Sequence, residues 1–172
     1  MILKRLFNKP PAPERLLYEA IVAAARRPRA YAEWGVADTI DGRFDMICLH
    51  TFLVLDRLKG RANDLRQNLV DELFRDMDRS LREMGVGDIS VGKKVRKMAE
   101  VFYGRVAAYD TAVTAGRHEL ERAIARNVYG GTAPEQGLAR LTDDAMNRRI
   151  WLASLKEEDL VAGVIAGPEA AP

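Results

Sequence analysis

The chain has 172 residues, of which 48% are hydrophobic and 30% are charged. This composition is ordinary for one soluble globular domain and too apolar for a disordered protein. Lysine and arginine exceed aspartate and glutamate by only two, 27 against 25. We therefore expect a protein whose surface is not basic as a whole, and we expect no DNA partner. One cysteine and two histidines exclude an internal disulfide and a cysteine- or histidine-rich metal centre, and we predict no metal.

The first thirteen residues are predicted to be a flexible tail. Pro10, Pro11 and Pro13 separate it from the rest of the chain, and no apolar run with a small-residue cleavage site follows its basic residues, so it is not a signal peptide. A frayed tail is one interpretation. The other is a short membrane anchor, because four apolar side chains fall on one helical side. These candidates for membrane contact are Ile2, Leu3, Leu6 and Phe7.

The first predicted helix covers residues 14–27, with a stripe of Leu17, Ile21 and Ala24. A short aromatic piece and a turn at Asp41 and Gly42 are expected next. Residues 43–59 are apolar in almost every direction around a helix, which is typical of a helix buried in the middle of a bundle. A buried strand is the alternative, but the length of the segment favours a helix.

Residues 62–84 show the clearest helical period, since a leucine or methionine recurs every four residues. The following helix is predicted to begin near Ser90 as its N-cap. Gly104 inside it costs about 1 kcal/mol relative to alanine, so we expect a close helix crossing or a kink there. A short helix over 117–128 comes next, and two capping-box patterns, Thr132 with Glu135 and Ser154 with Glu157, predict the last two helices.

No segment alternates with the period of a strand. We therefore predict an all-α fold, a single compact bundle of about six to seven helices over residues 14–167, with a disordered tail at residues 168–172. No apolar stretch approaches the roughly 20 residues that a membrane-spanning helix needs. The chain is expected in the cytoplasm or on a membrane face.

The chain lacks the motifs of common enzyme classes: it has no Walker loop, no dinucleotide-binding glycine pattern, no zinc-protease motif and no nucleophile elbow. His50 lies in the most apolar segment, where a hydrogen-bonded core residue is more common than a base or ligand. Cys48 has apolar neighbours that raise a thiol pKa, which argues against a reactive thiolate. We predict that the protein is not an enzyme and has no cofactor.

Four cations lie within five residues, at positions 93–97. A solvated helix face is the simple interpretation, and a patch for an anionic partner such as RNA or lipid headgroups is the alternative. The residues of this anionic-partner patch are Lys93, Lys94, Arg96 and Lys97.

Three strings combine arginine, aromatic, acidic and glycine residues: YAEWGVADTIDGRFD at 31–45, FRDMDRSLREMGVGD at 74–88 and FYGRVAAYD at 102–110. In this order they resemble the ubiquinol–cytochrome c chaperone family, and the resemblance runs from about Tyr18 to Tyr129. Its mitochondrial members are assembly factors of the cytochrome bc1 complex, which hold new cytochrome b near the ribosomal tunnel exit until haem is inserted. Having no presequence or spanning segment before the domain, the chain looks like the shorter bacterial form.

The resemblance implies an assembly chaperone that binds cytochrome b, or a similar apolar membrane client, at the cytoplasmic face of the inner membrane. An RNA- or ribosome-contacting helical module that uses residues 93–97 is the alternative, and a membrane surface is a further candidate partner. An enzyme on a helical bundle would need an acidic cluster facing a cavity, and the sequence shows none.

A client-binding chaperone needs an exposed apolar groove with a polar rim. The methionines and aromatics of the three strings suit adaptable binding, with core packing as the alternative for each. These client-binding candidates are Trp34, Phe44, Phe74, Met77, Met84, Phe102 and Tyr103. Charged residues of the same strings are expected to maintain the scaffold or rim the groove, namely Asp41, Arg43, Asp45, Arg82, Glu83, Asp88 and Arg105.

Overall fold

The structure is a computed structural model that describes residues 11–167. Within this range the chain forms helices joined by short connections, and no strand is present, which confirms the all-α fold. Six helices are long and two have five residues each, so the described part holds slightly more helices than predicted. They are α1 (Pro13–Ala25), α2 (Pro28–Ala32), α3 (Ile40–Arg57), α4 (Asn63–Glu83), α5 (Asp88–Ala115), α6 (Arg117–Val128), α7 (Glu135–Ser154) and α8 (Glu157–Val161).

Helix α3 runs through the centre of the domain. It contacts α1, α5, α6 and α7, and thirteen of its eighteen residues are buried, from Gly42 to Leu55. The apolar residues on all sides of α3 therefore lie in the core, as the sequence predicted. Helices α4 and α5 form a long antiparallel hairpin, in which α4 packs on α1 and α5 packs on α3 and α6.

The turn predicted at Asp41 and Gly42 is wrong, because both residues lie in the first turn of α3. Thr39 is the N-cap, and its hydroxyl oxygen accepts a hydrogen bond from the Gly42 backbone N–H at 3.1 Å. A Cβ atom on Gly42 would stand 2.0 Å from the carbonyl oxygen of Ala37. Glycine is needed here for close backbone packing rather than for a turn.

Three later helices begin within three residues of the predicted starts, but their predicted capping residues, Ser90, Thr132 and Ser154, are wrong. Gly87, Pro134 and Lys156 are the N-caps of α5, α7 and α8, and none of these caps makes a side-chain hydrogen bond. Helix α2 was not predicted. It begins at Pro28, a residue whose fixed φ suits the first turn of a helix.

The close helix crossing that was one of the two features expected at Gly104 is absent among the described residues. Helix α5 continues through it without interruption, and a Cβ atom built there would meet nothing within 4 Å. The residue lies on the exposed side of α5, so this part of the helix surface is open.

No helix in residues 11–167 combines the length and apolarity that crossing a membrane requires. The predicted tails at residues 1–13 and 168–172 lie almost wholly outside the described residues, and Pro13 already belongs to α1. The four membrane-contact candidates, Ile2, Leu3, Leu6 and Phe7, fall in the same undescribed range.

Candidate functional site

An aromatic cluster lies where α4 crosses α5, and we define it as Phe74, Phe102 and Tyr103. Phe74 and Phe102 meet edge to face with ring centroids 5.5 Å apart. Tyr103 lies 5.3 Å from Phe102 and 6.2 Å from Phe74. Phe102 is fully buried, Phe74 is half-buried and Tyr103 is 53% exposed. The cluster thus joins the core to the surface and leaves a packed tyrosine ring partly in solvent.

A second exposed apolar region lies at the end of the same hairpin. Met84, just after α4, is 53% exposed, and Ile89, in the first turn of α5, is 85% exposed. Fourteen residues separate Ile89 from Tyr103, which corresponds to about 21 Å along α5. The hairpin therefore has two separate apolar regions. The exposure of Ile89 was missed because its helix was predicted to begin after it.

The client-binding candidates divide by burial. Trp34, Phe44, Met77 and Phe102 are all less than a tenth exposed and belong to the core, whereas Phe74, Met84 and Tyr103 reach the surface. Trp34 is held from both sides, since its carbonyl accepts a hydrogen bond from the Tyr129 hydroxyl at 2.9 Å and the Arg29 guanidinium lies over its ring. A client that docks on the folded domain reaches only the second group.

One predicted scaffold pair joins α3 to α5. The guanidinium of Arg105 lies 2.6 Å from the Asp45 carboxylate and 5.7 Å from the centre of the Phe44 ring. Burial raises the pKa of Asp45 to about 6, although Arg105 works in the opposite direction. The same guanidinium is 3.9 Å from the Cys48 sulfur. Arg105 therefore ties the outer helix to the central one through polar groups of limited exposure.

The other charged candidates are exposed. Arg82 pairs with Asp78 at 2.6 Å and with Asp88, and so links the end of α4 to the start of α5. Its guanidinium lowers the pKa of Asp78 by hydrogen bonding. Arg43 pairs with Asp38 at 2.7 Å. Asp41 and Glu83 are also exposed, and their predicted roles as rim residues stay predictions.

All four cations of the anionic-partner patch are exposed on the first turns of α5. Lys97 has a carboxylate partner, Glu100, at 3.5 Å. Lys93, Lys94 and Arg96 have none among residues 11–167. Some exposed arginines elsewhere do pair with carboxylates, as Arg117 does with Asp143 at 2.7 Å. The patch is therefore a local excess of positive charge.

Burial shifts the pKa values of two further side chains in α3. Burial raises the pKa of the Cys48 thiol to about 12. Burial, together with the charges of Arg148 and Arg27, lowers the pKa of His50 to about 3. In the described part of the chain, no three or more histidine, cysteine or acidic side chains are placed to hold a metal ion. The arrangement suits binding through apolar contacts.

Three comparisons place this geometry among known proteins. The profile of the family described as ubiquinol-cytochrome C chaperone matches residues 32–167. The chain is 23% identical to ubiquinol-cytochrome-c reductase complex assembly factor 1 of Xenopus laevis over 149 residues, which cover 84% of this chain and 74% of that protein. The human protein of that name is 26% identical over 128 residues, 72% of this chain and 43% of the relative. The chain thus spans less than half of the human protein.

A solved structure shares the fold. The crystal structure of the Cbp3 homolog from Brucella abortus superposes with a TM-score of 0.77 at 41% sequence identity. The match covers 88% of this chain and 86% of that one. The helical arrangement around α3 is therefore shared with that protein over most of the length of both chains.

Proposed function

Because the chain belongs to the ubiquinol–cytochrome c chaperone family, we propose that it binds cytochrome b while the cytochrome bc1 complex is assembled. The family is one of bc1 complex assembly chaperones, and its curated vertebrate relatives carry that role in their names. The observation that carries the proposal for this chain is the aromatic cluster, with Tyr103 half in solvent and braced by the buried Phe102.

The chemistry of the client fits such a surface. Cytochrome b is mostly transmembrane helix, so before assembly it exposes apolar side chains that a holding protein must cover. A tyrosine offers a large apolar ring with a polar tip, and it binds at low cost when its rotamer is already fixed by packing. Contacts of Tyr103 with Phe74 and Phe102 supply that fixation.

Gly104 supports the same proposal. It follows Tyr103 on the exposed side of α5, and the space in which its Cβ would stand is empty. Small residues allow the backbones of two helices to approach closely. In this proposal a client helix lies across α5 at Gly104 and contacts the Tyr103 ring. Release follows when the partner subunits of the client compete for the same apolar face.

We propose that the protein acts by binding and without catalysis, in agreement with the shifted pKa values of Cys48 and His50. We place its action at the cytoplasmic face of the inner membrane, where an apolar client is inserted. The alternative of an RNA- or ribosome-contacting module receives no support from the comparisons.

The proposal is tested in a strain of the source organism that lacks the gene. Loss of the protein should lower the amount of assembled bc1 complex while the transcripts of its subunits stay unchanged. Wild-type protein should restore assembly, and the Tyr103→Asp variant should not, because a charge at the binding surface must be desolvated. Ile150→Asp is the matched control, since Ile150 is 66% exposed on α7, away from the hairpin.

Tagged protein is recovered from the same cells in mild detergent and probed for cytochrome b. Wild type and Ile150→Asp should co-purify the client, and Tyr103→Asp should lose it. Normal bc1 levels in the deletion strain, together with no cytochrome b in the recovered fraction, would contradict the proposal.

A further inference from the structure

We propose that the tip of the α4–α5 hairpin docks on an anionic lipid surface, with Ile89 entering the headgroup region and the four cations of the anionic-partner patch contacting lipid headgroups. This surface is distinct from the aromatic cluster. We define the hairpin tip as Met84, Ile89, Lys93, Lys94, Arg96 and Lys97.

Ile89 lies out in solvent at the hairpin tip. It is the most exposed large apolar residue of the described chain, at 85%. Val91, two residues later, is fully buried, so the first turn of α5 is anchored and Ile89 is held outward. The ion pairs of Arg82 with Asp78 and Asp88 fix the connection behind it. An exposed apolar side chain beside several cations is the combination with which peripheral proteins enter a membrane interface.

Most of the cations lie on the same face of α5 as Ile89. Counting from Ile89, Lys93, Arg96 and Lys97 follow at four, seven and eight residues, which places all of them on one helical face. Lys94 lies at the side of that face. Ile89 and these cations can therefore contact one membrane surface together. A peripheral membrane protein needs two such signals, one apolar and one electrostatic, for stable attachment.

The positive charge of the hairpin tip is complementary to a negatively charged partner. Three of the four cations have no carboxylate partner among residues 11–167, and the fourth is only loosely paired, at 3.5 Å. Each lysine or arginine near an anionic bilayer adds attraction that salt screens. The unneutralised charge therefore fits a partner with a dense negative surface.

The same residues fit lipid better than RNA. Proteins that hold single-stranded RNA stack its bases on aromatic side chains, and residues 84–97 contain none. Ile89 would gain no apolar contact from a phosphate backbone, but it would be buried among headgroups and acyl chains. The aromatic cluster lies about 21 Å farther along α5, so the two surfaces are separate.

The experiment measures flotation of the full-length protein with vesicles of phosphatidylcholine, with and without phosphatidylglycerol. Wild-type protein should float only with the anionic vesicles. Ile89→Gln should lower the bound fraction about fivefold through lost apolar burial. Replacing the four cations with glutamine should lower it at least about tenfold. Circular dichroism melting of each variant checks that the fold is kept.

Matched controls separate this surface from general effects. Ile150→Gln changes an isoleucine that is 66% exposed on α7 and should bind like wild type. A second control removes four exposed cations that belong to other parts of the chain, and it should also keep most of its binding. These are Arg61, Arg126, Arg140 and Lys156.

Three results would overturn the proposal: tip variants that float like wild type, an equal loss in the second control, or retention of single-stranded RNA by the tip without any flotation. Deletion of residues 1–9 is run beside them. If it alone abolishes flotation and the tip variants have no effect, the tail is the anchor and the tip is not. Because no client is present, failure of this test leaves the proposed function standing.

Discussion

Helices α3 and α5 pack against each other, but α3 is mostly buried and α5 is mostly exposed. Thirteen of the eighteen residues of α3 are buried, while α5, with twenty-eight residues, buries only Val91, Phe102, Tyr109 and Ala112. The central helix therefore holds the fold together. The outer helix is anchored at a few points, and the rest of its length is left as surface.

The comparison teaches where function can lie on an all-helical scaffold. Substitutions in α3 should change stability first and function only as a consequence. Substitutions on the outer side of α5 should change binding and leave the fold intact. Each prediction below tests one side of this division.

The largest effect is expected in the centre of α3. Leu53 is 2% exposed, so Leu53→Ala removes buried methyl groups and leaves a cavity that costs about 2–5 kcal/mol of unfolding free energy. Ile89→Ala on α5 should change the free energy by less than about 0.5 kcal/mol, because its side chain is already in water. Urea denaturation of both variants measures the difference, and equal midpoints would show that α3 is not the core.

The next effect concerns the tie between the two helices. Arg105→Gln leaves the Asp45 carboxylate unpaired at limited exposure, which should cost about 1–3 kcal/mol. Arg82→Gln removes an arginine whose partners are exposed and should cost less than about 1 kcal/mol. Adding Asp45→Asn to Arg105→Gln should recover part of the larger loss. No recovery in the double variant would mean that Arg105 acts through packing alone.

The pH dependence of stability separates two groups of α3 that act in opposite directions. The pKa of His50 falls from 6.5 to about 3 on folding, so unfolded chains bind a proton that the folded state excludes, and acidification below pH 6.5 destabilises the fold. The pKa of Asp45 rises from 3.8 to about 6, so the folded state holds an extra proton between these values. There Asp45 favours folding as pH falls.

Between pH 6 and pH 4 the two contributions oppose each other. Asp45→Asn removes one of them, so this variant should lose stability more steeply than wild type as pH falls, by up to about 1 kcal/mol per pH unit. Denaturation midpoints over this range measure the slopes, with Leu53→Ala as a control that keeps the wild-type slope. Parallel slopes for Asp45→Asn and wild type would contradict the assigned shift of Asp45.

A small effect on stability is expected at the aromatic cluster. Tyr103→Ala loses ring contacts with Phe74 and Phe102 at a site that is half in solvent, so it should cost about 1 kcal/mol or less. Capture of cytochrome b should nevertheless fall. A variant that unfolds, or one that binds the client as wild type does, would place Tyr103 outside the proposed surface.

These two helices also show how far sequence reasoning reaches. The buried position of α3 followed from apolar residues in all directions, since a periodic pattern depends on many side chains at once. Helix starts were harder. Thr39, and not the Asp41–Gly42 pair, caps α3, and the backbone of Ala37 packs against Gly42 in a way that the residue types alone do not reveal. Contacts from distant or neighbouring backbone segments decide such ends, and a local pattern does not contain them.

The candidate site was predictable in its residue types but not in its exposure. Phe102 and Tyr103 are adjacent in one motif, yet one is fully buried and the other is 53% exposed. The packing of α3, α4 and α6 against α5 decides which ring faces solvent. Gly104 carries the same lesson, since its open side becomes visible only when the neighbours of α5 are in place.

Site-specific photo-cross-linking detects directly whether the client binds the outer surface of α5. A photoreactive residue is placed at position 103 or, as a control, at position 150, which is 66% exposed on α7. Cells that synthesise cytochrome b are irradiated, and the cross-linked products are identified by mass spectrometry. The account predicts a cytochrome b adduct from position 103 and none from position 150. Adducts from both positions alike, or from neither, would contradict it.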